Sequence, residues 1–298
     1  MMQEDASELG DGAVMIPAGL KIGANRRSAG EDIQKGDRIL NRGLRLKPQH
    51  LGIAASVGRS QLTVYTALRV AIFSTGDEVK EPGTPLPLGG IYDANRIMVA
   101  AFCEALGAHV NDLGILPDKS DQIRSALEEA TESHDLIITS GGVSVGDEDH
   151  VKAAVEELGQ LHFWRLAIKP GRPIALGQVR GVPFAGLPGN PVAAMVTFLR
   201  IVRPVVLALS GATELTPKSY QVASGFAYTK KRPRRELIRV HIVAGDNNVP
   251  TAHRFKDQGA GILTSITSSD GLVELSEDHG EVKVGDMVEF IPFCEVDA

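Results

Sequence analysis

A regular alternation of short apolar runs and helical patterns between residues 67 and 210 constrains the fold of this 298-residue chain most strongly. Residues 68–74 (LRVAIFS) and 135–139 (DLIIT) are almost entirely β-branched or aliphatic, which is typical of parallel strands buried on both faces. Segments 93–107 and 119–132 instead place apolar residues at helical spacing. Strands that alternate with helices in this way predict an α/β fold with a doubly wound, mostly parallel sheet.

The rest of the chain is divided by a change of pattern after Gly211, where helical periodicity stops. Residues 190–210 predict a long apolar helix with a kink at Pro204, and the chain beyond it predicts a small β barrel or sandwich. The first 66 residues are rich in glycine and charge, which indicates short strands and turns with one short helix near 51–57. Three regions follow: a β-rich segment (1–66), an α/β domain (67–212) and a β-barrel domain (213–298).

The composition excludes several classes of protein. With 43% hydrophobic and 23% charged residues the chain is an ordinary globular protein, and its formal charge of −6 disfavours a nucleic-acid binder. Two cysteines cannot build a disulfide framework, and no zinc-ligand spacing is present. The N-terminal residues lack the pattern of a secretory signal, and polar residues interrupt the longest apolar run. We therefore expect a soluble protein without a membrane span.

The segments that follow the predicted strands carry the candidate chemistry, because ligands of such sheets bind beyond the carboxyl ends of the strands. These segments are TGDE (75–78), SGGVSVGDED (140–149) and LPGNP (187–191). Small residues let backbone N–H groups approach an anion, and a following helix N-terminus favours negative charge. SGGVSVG therefore predicts a phosphate cradle, with an ordinary tight turn as the alternative. Neither a Walker A motif nor GxGxxG is present.

Charged residues gather at the same predicted edge. Carboxylates beside a phosphate cradle indicate a hard cation such as Mg²⁺, although helix capping would also explain Asp118 and Asp149. Arg165 and Lys169 lie four residues apart in one predicted strand, so we expect them to share a face and bind an oxyanion together. The basic run 230–235 (KKRPRR) predicts a solvated hairpin tip. The acidic residues at this edge are Asp77, Glu78, Asp118, Asp147, Glu148 and Asp149.

Six elements then occur in a specific order: FSTGDE (73–78), IYDAN (91–95), GILPD (114–118), TSGGVSVGDED (139–149), FWRLAIKPGRP (163–173) and GLPGNPV (186–192). In this order and spacing the chain resembles the MoeA-type molybdopterin molybdenumtransferases, which include the gephyrin E domain. The resemblance implies conversion of adenylyl-molybdopterin and molybdate to molybdenum cofactor and AMP, with Mg²⁺. It also implies a cytoplasmic homodimer that contacts a molybdopterin adenylyltransferase and molybdoenzyme chaperones.

The resemblance implies roles for individual residues. Glu78, Asp118, Asp149 and Lys169 match the catalytic positions, and Asp118 and Asp149 would hold the cation. In the family, the arginine matching Arg239 faces the active site of the partner subunit. The implied substrate-binding residues are Thr75, Gly76, Asp93, Asn95, Ser140, Gly141, Gly142, Ser144, Arg165, Pro188, Gly189, Asn190, Pro191 and Arg239.

The chain also departs from the family pattern. Arg165 stands where the family usually has lysine, and Ala260 stands where many relatives have serine. The sequence begins within the family's second region, so we expect the elongated N-terminal domain, which helps to form the dimer, to be absent. Two alternatives stay open: a truncated molybdopterin-binding scaffold, and a molybdopterin adenylyltransferase or CinA-type enzyme that shares the SGGxSxGxxD turn.

Overall fold

The computed structural model describes residues 3–16, 18–19, 21–24, 26–142, 150–231, 233–245 and 249–296. The chain divides into two compact units, Met1–Leu62 and Thr63–Ala298. In the first unit, strands β1 (Ser7–Leu9) and β2 (Ala13–Met15) pair as an antiparallel hairpin. Turns and irregular segments lead from this hairpin to helix α1 (Pro48–Ser56), which includes most of the predicted short helix.

The second unit begins with the predicted alternation of strands and helices. Four neighbouring strands of its main sheet have the same direction. They are β6 (His109–Leu116), β3 (Arg69–Thr75), β7 (Leu136–Ser140) and β11 (Val182–Leu187), and they pair in parallel. In chain order the elements are β3 (Arg69–Thr75), β4 (Val79–Lys80), β5 (Ile91–Tyr92), α2 (Asn95–Ala105), β6 (His109–Leu116), α3 (Ser120–Ser133), β7 (Leu136–Ser140), α4 (His150–Leu158), β8 (Gly159–Arg165), β9 (Ile168–Lys169), β10 (Pro173–Val179), β11 (Val182–Leu187), α5 (Pro191–Thr197) and α6 (Arg203–Leu209).

The main sheet has the strand order β6-β3-β7-β11-β10-β8, and β10 is antiparallel to both of its neighbours. Alternate residues of β3 face opposite sides: Val70 and Ile72 pack with α2 and α5, and Ala71 and Phe73 pack with α3 and α4. Burial on both faces explains why this strand is apolar throughout. The prediction of a doubly wound, mostly parallel sheet is confirmed.

The predicted long helix is present, but it changes geometry near its middle. A π-helical turn (Phe198–Val202) separates α5 from α6, and the Arg203 N–H donates to the Phe198 carbonyl five residues earlier. Pro204 lacks an N–H, and its ring would clash with a carbonyl in a regular helix, so the wider turn accommodates it. By length and composition the stretch Pro191–Leu209 could cross a membrane, but 67% of its apolar window is buried in this protein. It packs as a core helix.

The C-terminal strands form a closed five-stranded barrel in the order β15-β12-β18-β16-β14, with β14 pairing back to β15. This result decides between the predicted barrel and sandwich. The short strand β9 adds to the barrel sheet in parallel with β14, so the segment after β8 leaves the α/β sheet and joins the barrel. The elements are β12 (Tyr220–Ser224), β13 (Tyr228–Thr229), β14 (Arg235–Ala244), β15 (Pro250–Arg254), α7 (Thr264–Thr267), β16 (Gly271–Leu275), β17 (Glu281–Val282) and β18 (Met287–Pro292).

Replacement of Phe198 by alanine tests the packing of the core helix. Phe198 has no exposed surface, and its ring stacks on Phe102 with centroids 5.3 Å apart. We expect Phe198→Ala to lower the free energy of unfolding by about 3–5 kcal/mol in urea denaturation. Leu209→Ala, at the 42%-exposed end of the same stretch, should cost about 1 kcal/mol or less. Equal losses would contradict a core position for this helix.

Candidate anion-binding site at the carboxyl edge of the sheet

Four parallel strands end side by side at one edge of the sheet. β6 ends at Leu116, which pairs with Thr75 of β3, and β7 ends at Ser140, which pairs with Leu187 of β11. Thr75 follows Ser74, the residue that pairs with Ser140, so all four ends are aligned. We call the segments that follow these ends the carboxyl edge: residues 75–78, 117–118, 140–142 and 187–190. The structure therefore brings together the turns that the sequence predicted to be neighbours.

The glycine turn after β7 is shaped by its neighbours. Gly141 has a φ of 87°, and a Cβ there would lie 2.6 Å from the Thr75 carbonyl oxygen. Gly142 has a φ of 65°, and its Cβ would lie 2.6 Å from a Val151 methyl group and 2.7 Å from the Thr75 methyl group. Both positions thus require glycine. Ser144 and Asp149, the remaining residues predicted in this loop, lie outside the described residues.

Asn95 links two of the predicted turns. Its buried side-chain Nδ2 donates to the Ser140 hydroxyl oxygen at 2.9 Å and to the Gly189 carbonyl oxygen at 2.8 Å. Asp93, two residues earlier, accepts the Arg96 backbone N–H at its Oδ1, 3.1 Å away. The two residues predicted to bind substrate therefore brace the start of α2 and the turns around it. Direct contact of either with a ligand stays a prediction.

Arg96 is an organising residue that the sequence reasoning missed. Its buried guanidinium donates to Asp93 at 2.9 Å, to both oxygens of Glu81 at 2.6 and 2.7 Å, and to Asp112. The pair with Asp93 has the spacing of helical neighbours, which is the one local signal available. The pair with Glu81 holds the segment between β4 and α2 in place, and from this segment the Ile91 N–H donates to the Glu78 carbonyl at 2.8 Å.

The carboxyl edge contains polar groups that the protein does not itself satisfy. The buried Thr75 hydroxyl has no hydrogen-bond partner among the described residues. Such a group is rare in a native structure and is explained by a water or a ligand. Glu78 is exposed in the next loop, and Asp118 is exposed beyond β6. Lys119 is the N-cap of α3, without a side-chain cap, so the helix-capping interpretation of Asp118 is wrong.

Hydroxyl and carboxylate oxygens are the donor types that Mg²⁺ prefers, so Thr75 and Asp118 fit a hard cation chemically. Within the described part of the chain, no group of three or more His, Cys, Asp or Glu side chains could hold a metal ion. The predicted pair of ligands includes Asp149, which lies outside that part. Phosphate oxygens of a substrate and water molecules would supply the remaining ligands of such a cation.

Arg165 and Lys169 do not share a strand face, and that prediction is wrong. β8 ends at Arg165, the Leu166 N–H donates to the Arg172 carbonyl at 2.8 Å, and Lys169 belongs to β9 in the barrel sheet. The spacing of four residues has no meaning across this break. Arg165 is exposed at the end of a strand that points to the carboxyl edge, because β8 has the same direction as β11.

Lys169 meets a carboxylate of the barrel. Its Nζ lies 3.3 Å from the Tyr228 hydroxyl oxygen and 3.6 Å from Oε2 of the buried Glu236. Burial opposes ionisation of Glu236, but hydrogen bonds from Tyr228 and Arg234 and the charge of Lys169 outweigh it and lower the pKa of Glu236. Burial and the neighbouring Glu236 raise the pKa of Tyr228 to about 12. Neither Tyr228 nor Glu236 was predicted as a site residue.

Three residues of the basic run, Lys230, Arg234 and Arg235, are bonded within the barrel, so its interpretation as a solvated hairpin tip is wrong for them, whereas Lys231 is exposed. Lys230 is buried and donates to the Arg234 and Glu277 carbonyls. The Arg235 guanidinium pairs with Glu274 and Glu277. Acidic residues far along the chain therefore neutralise charges that appear unpaired in the sequence.

Arg239 supports the loop that meets helix α5. Its side chain is 1% exposed, and its guanidinium donates to the Ser265 hydroxyl and the Gly259 carbonyl, both at 3.0 Å. Burial lowers the pKa of Arg239 to about 10. The Ala260 carbonyl in the same loop accepts the Val192 N–H at 3.0 Å. The structure thus places Arg239 inside the barrel, and its predicted contact with substrate stays a prediction.

The remaining predicted residues form the turn into α5. Pro188 is buried, and Pro191 is the first residue of the helix, where its fixed φ is favourable. Gly189 and Asn190 are exposed between them, and the Asn190 side chain caps no helical N–H.

In the turn after β3, Gly76 has a φ of 135°, and a Cβ there would lie 3.0 Å from Oε2 of Glu78. These turns leave exposed polar groups at the carboxyl edge.

A mostly parallel sheet with glycine turns at its carboxyl edge, joined by a crossing segment to a barrel, defines an α/β protein with an accessory β domain and a candidate anion-binding edge. Comparison with protein families agrees with this class. Residues 71–208 match the "Probable molybdopterin binding domain", residues 221–293 match the MoeA C-terminal region (domain IV), and residues 1–58 match the MoeA N-terminal region (domain I and II).

The chain is 37% identical over 294 residues to a molybdopterin molybdenumtransferase of Haemophilus influenzae, covering 98% of this chain and 73% of that protein. It is 34% identical to molybdopterin molybdenumtransferase 2 of Mycobacterium tuberculosis, covering 94% and 70%. The crystal structure of a MoeA protein from Pyrococcus horikoshii superimposes with a TM-score of 0.75 at 27% identity, covering 98% and 71%. The chain belongs to the molybdopterin molybdenumtransferase (MoeA) family, which confirms the resemblance inferred from its motifs.

The isosteric change Asn95→Asp tests the link between the turns. A carboxylate cannot donate to the Gly189 carbonyl, so two acceptors would face each other in a partly buried contact. We expect the free energy of unfolding to fall by about 2 kcal/mol, measured by urea denaturation. Asn111→Asp, on the exposed edge of β6, should change it by about 0.5 kcal/mol or less. Similar small effects of both changes would show that Asn95 does not link the turns.

The buried carboxylate predicts a pH dependence of stability. Because the pKa of Glu236 is below its ordinary value of 4.5, ionised Glu236 stabilises the fold above about pH 4.5, and this contribution is lost as the pH falls through the folded-state pKa. Wild type should be more stable than Glu236→Gln at pH 7, and the difference should shrink below pH 4.5. Urea denaturation between pH 3 and 7 measures it. A difference that is constant over this range would contradict an ionised Glu236.

Proposed function

We propose that the chain is a molybdenum insertase, which converts adenylyl-molybdopterin and molybdate to molybdenum cofactor and AMP. Its family relatives support a role in molybdenum cofactor biosynthesis. The observation that carries the proposal is the Gly141–Gly142 turn beside Thr75, whose buried hydroxyl has no hydrogen-bond partner among the described residues. Backbone N–H groups and a free hydroxyl suit phosphate oxygens, and the exposed Asp118 suits a cation bound to them.

The reaction joins a hydrolysis to a ligand exchange. Water adds to a phosphorus of the phosphoanhydride, the bridging P–O bond breaks, and AMP leaves while the pterin keeps its phosphate. The two dithiolene sulfurs form bonds to molybdenum, and one oxygen of molybdate leaves as water with two protons. Both parts bring several negative charges together, so the protein must supply positive charge and hydrogen-bond donors.

The proposed roles combine the positions of the described side chains with the roles that the family resemblance implies, the latter alone for Asp149. The amides of the turn from Ser140 and the Thr75 hydroxyl bind phosphate oxygens. Asp118 and Asp149 hold Mg²⁺ and orient the water, and Mg²⁺ supplies charge neutralisation at the phosphates when it is bound. Lys169 and Arg165 neutralise phosphate or molybdate, and Glu78 completes the polar wall after β3. Pro188 and Pro191 give the adjoining turn a fixed shape.

The proposal also includes the setting implied by the family. We propose a cytoplasmic homodimer that receives its substrate from a molybdopterin adenylyltransferase and passes its product to molybdoenzyme chaperones. Molar mass by light scattering tests the dimer directly, since a monomer at micromolar concentration would contradict this part of the proposal.

Release of AMP tests the reaction. The purified chain is incubated with adenylyl-molybdopterin, molybdate and Mg²⁺, and AMP is quantified by chromatography. We expect Asp118→Asn to lower the rate at least about tenfold, because a charged ligand of the cation is lost. Asp121→Asn, exposed in the first turn of α3, should keep the wild-type rate.

One result would contradict the role of Asp118, and another would contradict the insertase activity itself. Equal rates for Asp118→Asn and wild type would remove Asp118 from the mechanism. Binding of adenylyl-molybdopterin by wild type without release of AMP would instead support a molybdopterin-binding scaffold.

A further inference from the structure

The ammonium of Lys169 is held by residues from outside the α/β sheet. Backbone pairing sets Lys169 of β9 directly beside Glu236 of β14, and Tyr228 contributes its hydroxyl from β13. The Lys169 side chain is 43% exposed, whereas that of Glu236 is 3% exposed. One end of the network is thus buried in the barrel, and the other end is open to solvent and ligands.

The hydrogen bonds of this network have a defined direction. Tyr228 donates its single hydroxyl proton to Oε2 of Glu236 at 2.5 Å, so its oxygen accepts from Lys169 Nζ at 3.3 Å. The Arg254 guanidinium lies over the Tyr228 ring, 5.4 Å from its centroid. The ring is therefore held from one face, and the hydroxyl stands between the carboxylate and the ammonium.

The network has one positive charge in excess. Arg234 donates to Oε1 of Glu236 through Nη2 at 2.6 Å and Nε at 3.1 Å, so the carboxylate already has a cationic partner. Arg234 and Lys169 share the single negative charge of Glu236, so the charge of Lys169 is only partly compensated, unlike that of a lysine in a simple ion pair. An ammonium has three donors and gives one to Tyr228, so further donors remain for an oxyanion.

The space between these groups is too small for a substrate. The cleft has a volume of about 10 Å³, enough for about one water molecule, and its lining includes Lys169, Tyr228 and Glu236. Tyr228 and Glu236 therefore act on a ligand through Lys169 and not by contact with it.

We propose that Tyr228 and Glu236 are positioning residues that fix the Lys169 ammonium at the edge of the site while leaving its positive charge available to a substrate oxyanion. This inference rests on the proposed function, because the oxyanion is the phosphate or the molybdate of that reaction. The barrel would thus contribute to the chemistry of the α/β domain by positioning Lys169.

A double-mutant cycle on the full chain tests the inference. AMP release is measured under single-turnover conditions, with protein in excess, for wild type, Tyr228→Phe, Lys169→Met and the double variant. We expect Tyr228→Phe to slow the wild-type reaction about threefold to tenfold, and to have no further effect when Lys169 is already replaced. Tyr220→Phe is the matched control, because its exposed hydroxyl donates to Glu295 at 3.4 Å and should leave the rate unchanged.

Glu236→Gln provides a second cycle with Lys169→Met, in case Tyr228→Phe perturbs folding, and its control is Glu277→Gln, whose partner is Arg235. Calorimetric titration with AMP and with molybdate separately identifies the oxyanion, since Lys169→Met should weaken binding of the one that Lys169 contacts. The same fold-loss in both backgrounds, or unchanged binding of both anions, would overturn the positioning role. Absence of AMP release from wild type would overturn the proposed function itself.

Discussion

The pairing of two residues of β9 with β14 is the interaction on which the candidate site depends. β8 delivers the chain to the carboxyl edge, and without the pairing of Ile168 and Lys169 to the barrel the following segment would be a free loop. At Gly171 the backbone of this segment packs closely against α5 of the α/β core. A Cβ at this position would lie 2.3 Å from the Thr197 hydroxyl oxygen. A flexible lysine is thereby placed by the backbone pairing of β9 with the barrel, in a segment that is closed by the hydrogen bond from the Leu166 N–H to the Arg172 carbonyl.

The barrel also fixes the other side of the edge. Val192 and Val196 of α5 pack with Leu237 and Leu272 of the barrel in one apolar cluster. The loop braced by Arg239 accepts an N–H from the first turn of the same helix. Apolar packing gives this contact most of its stability, and the hydrogen bonds set its register. The α/β domain and the barrel therefore share the construction of one edge.

The sequence predicted the sheet well because its strands are buried on both faces, which makes them apolar throughout and easy to recognise. It also predicted that the turns after β3, β7 and β11 would be neighbours, since parallel topology alone requires this. The prediction that Arg165 and Lys169 share a strand face failed, because the strand breaks after Arg165. The chain then joins the barrel sheet, so the two residues belong to different strands. Tyr228 and Glu236 were missed because they lie 59 and 67 positions from Lys169, and no local pattern links residues at that distance.

Among the described residues, charge is distributed unevenly along the carboxyl edge, and this distribution is compatible with the proposed reaction. At the β6–β3 end the loops present Asp77, Glu78 and Asp118, all exposed. At the β8 end they present Arg165 and Lys169, and the neighbouring Glu236 is already neutralised by Arg234. Between these ends the described residues form the uncharged Gly141–Gly142 turn. A phosphoanhydride with a bound cation presents the complementary order of charges, with the metal toward the carboxylates and the free oxyanion toward the lysine. Because opposite charges at the two ends favour one orientation of such a substrate and disfavour the reverse, electrostatics alone can orient it before any contact with its organic part is made.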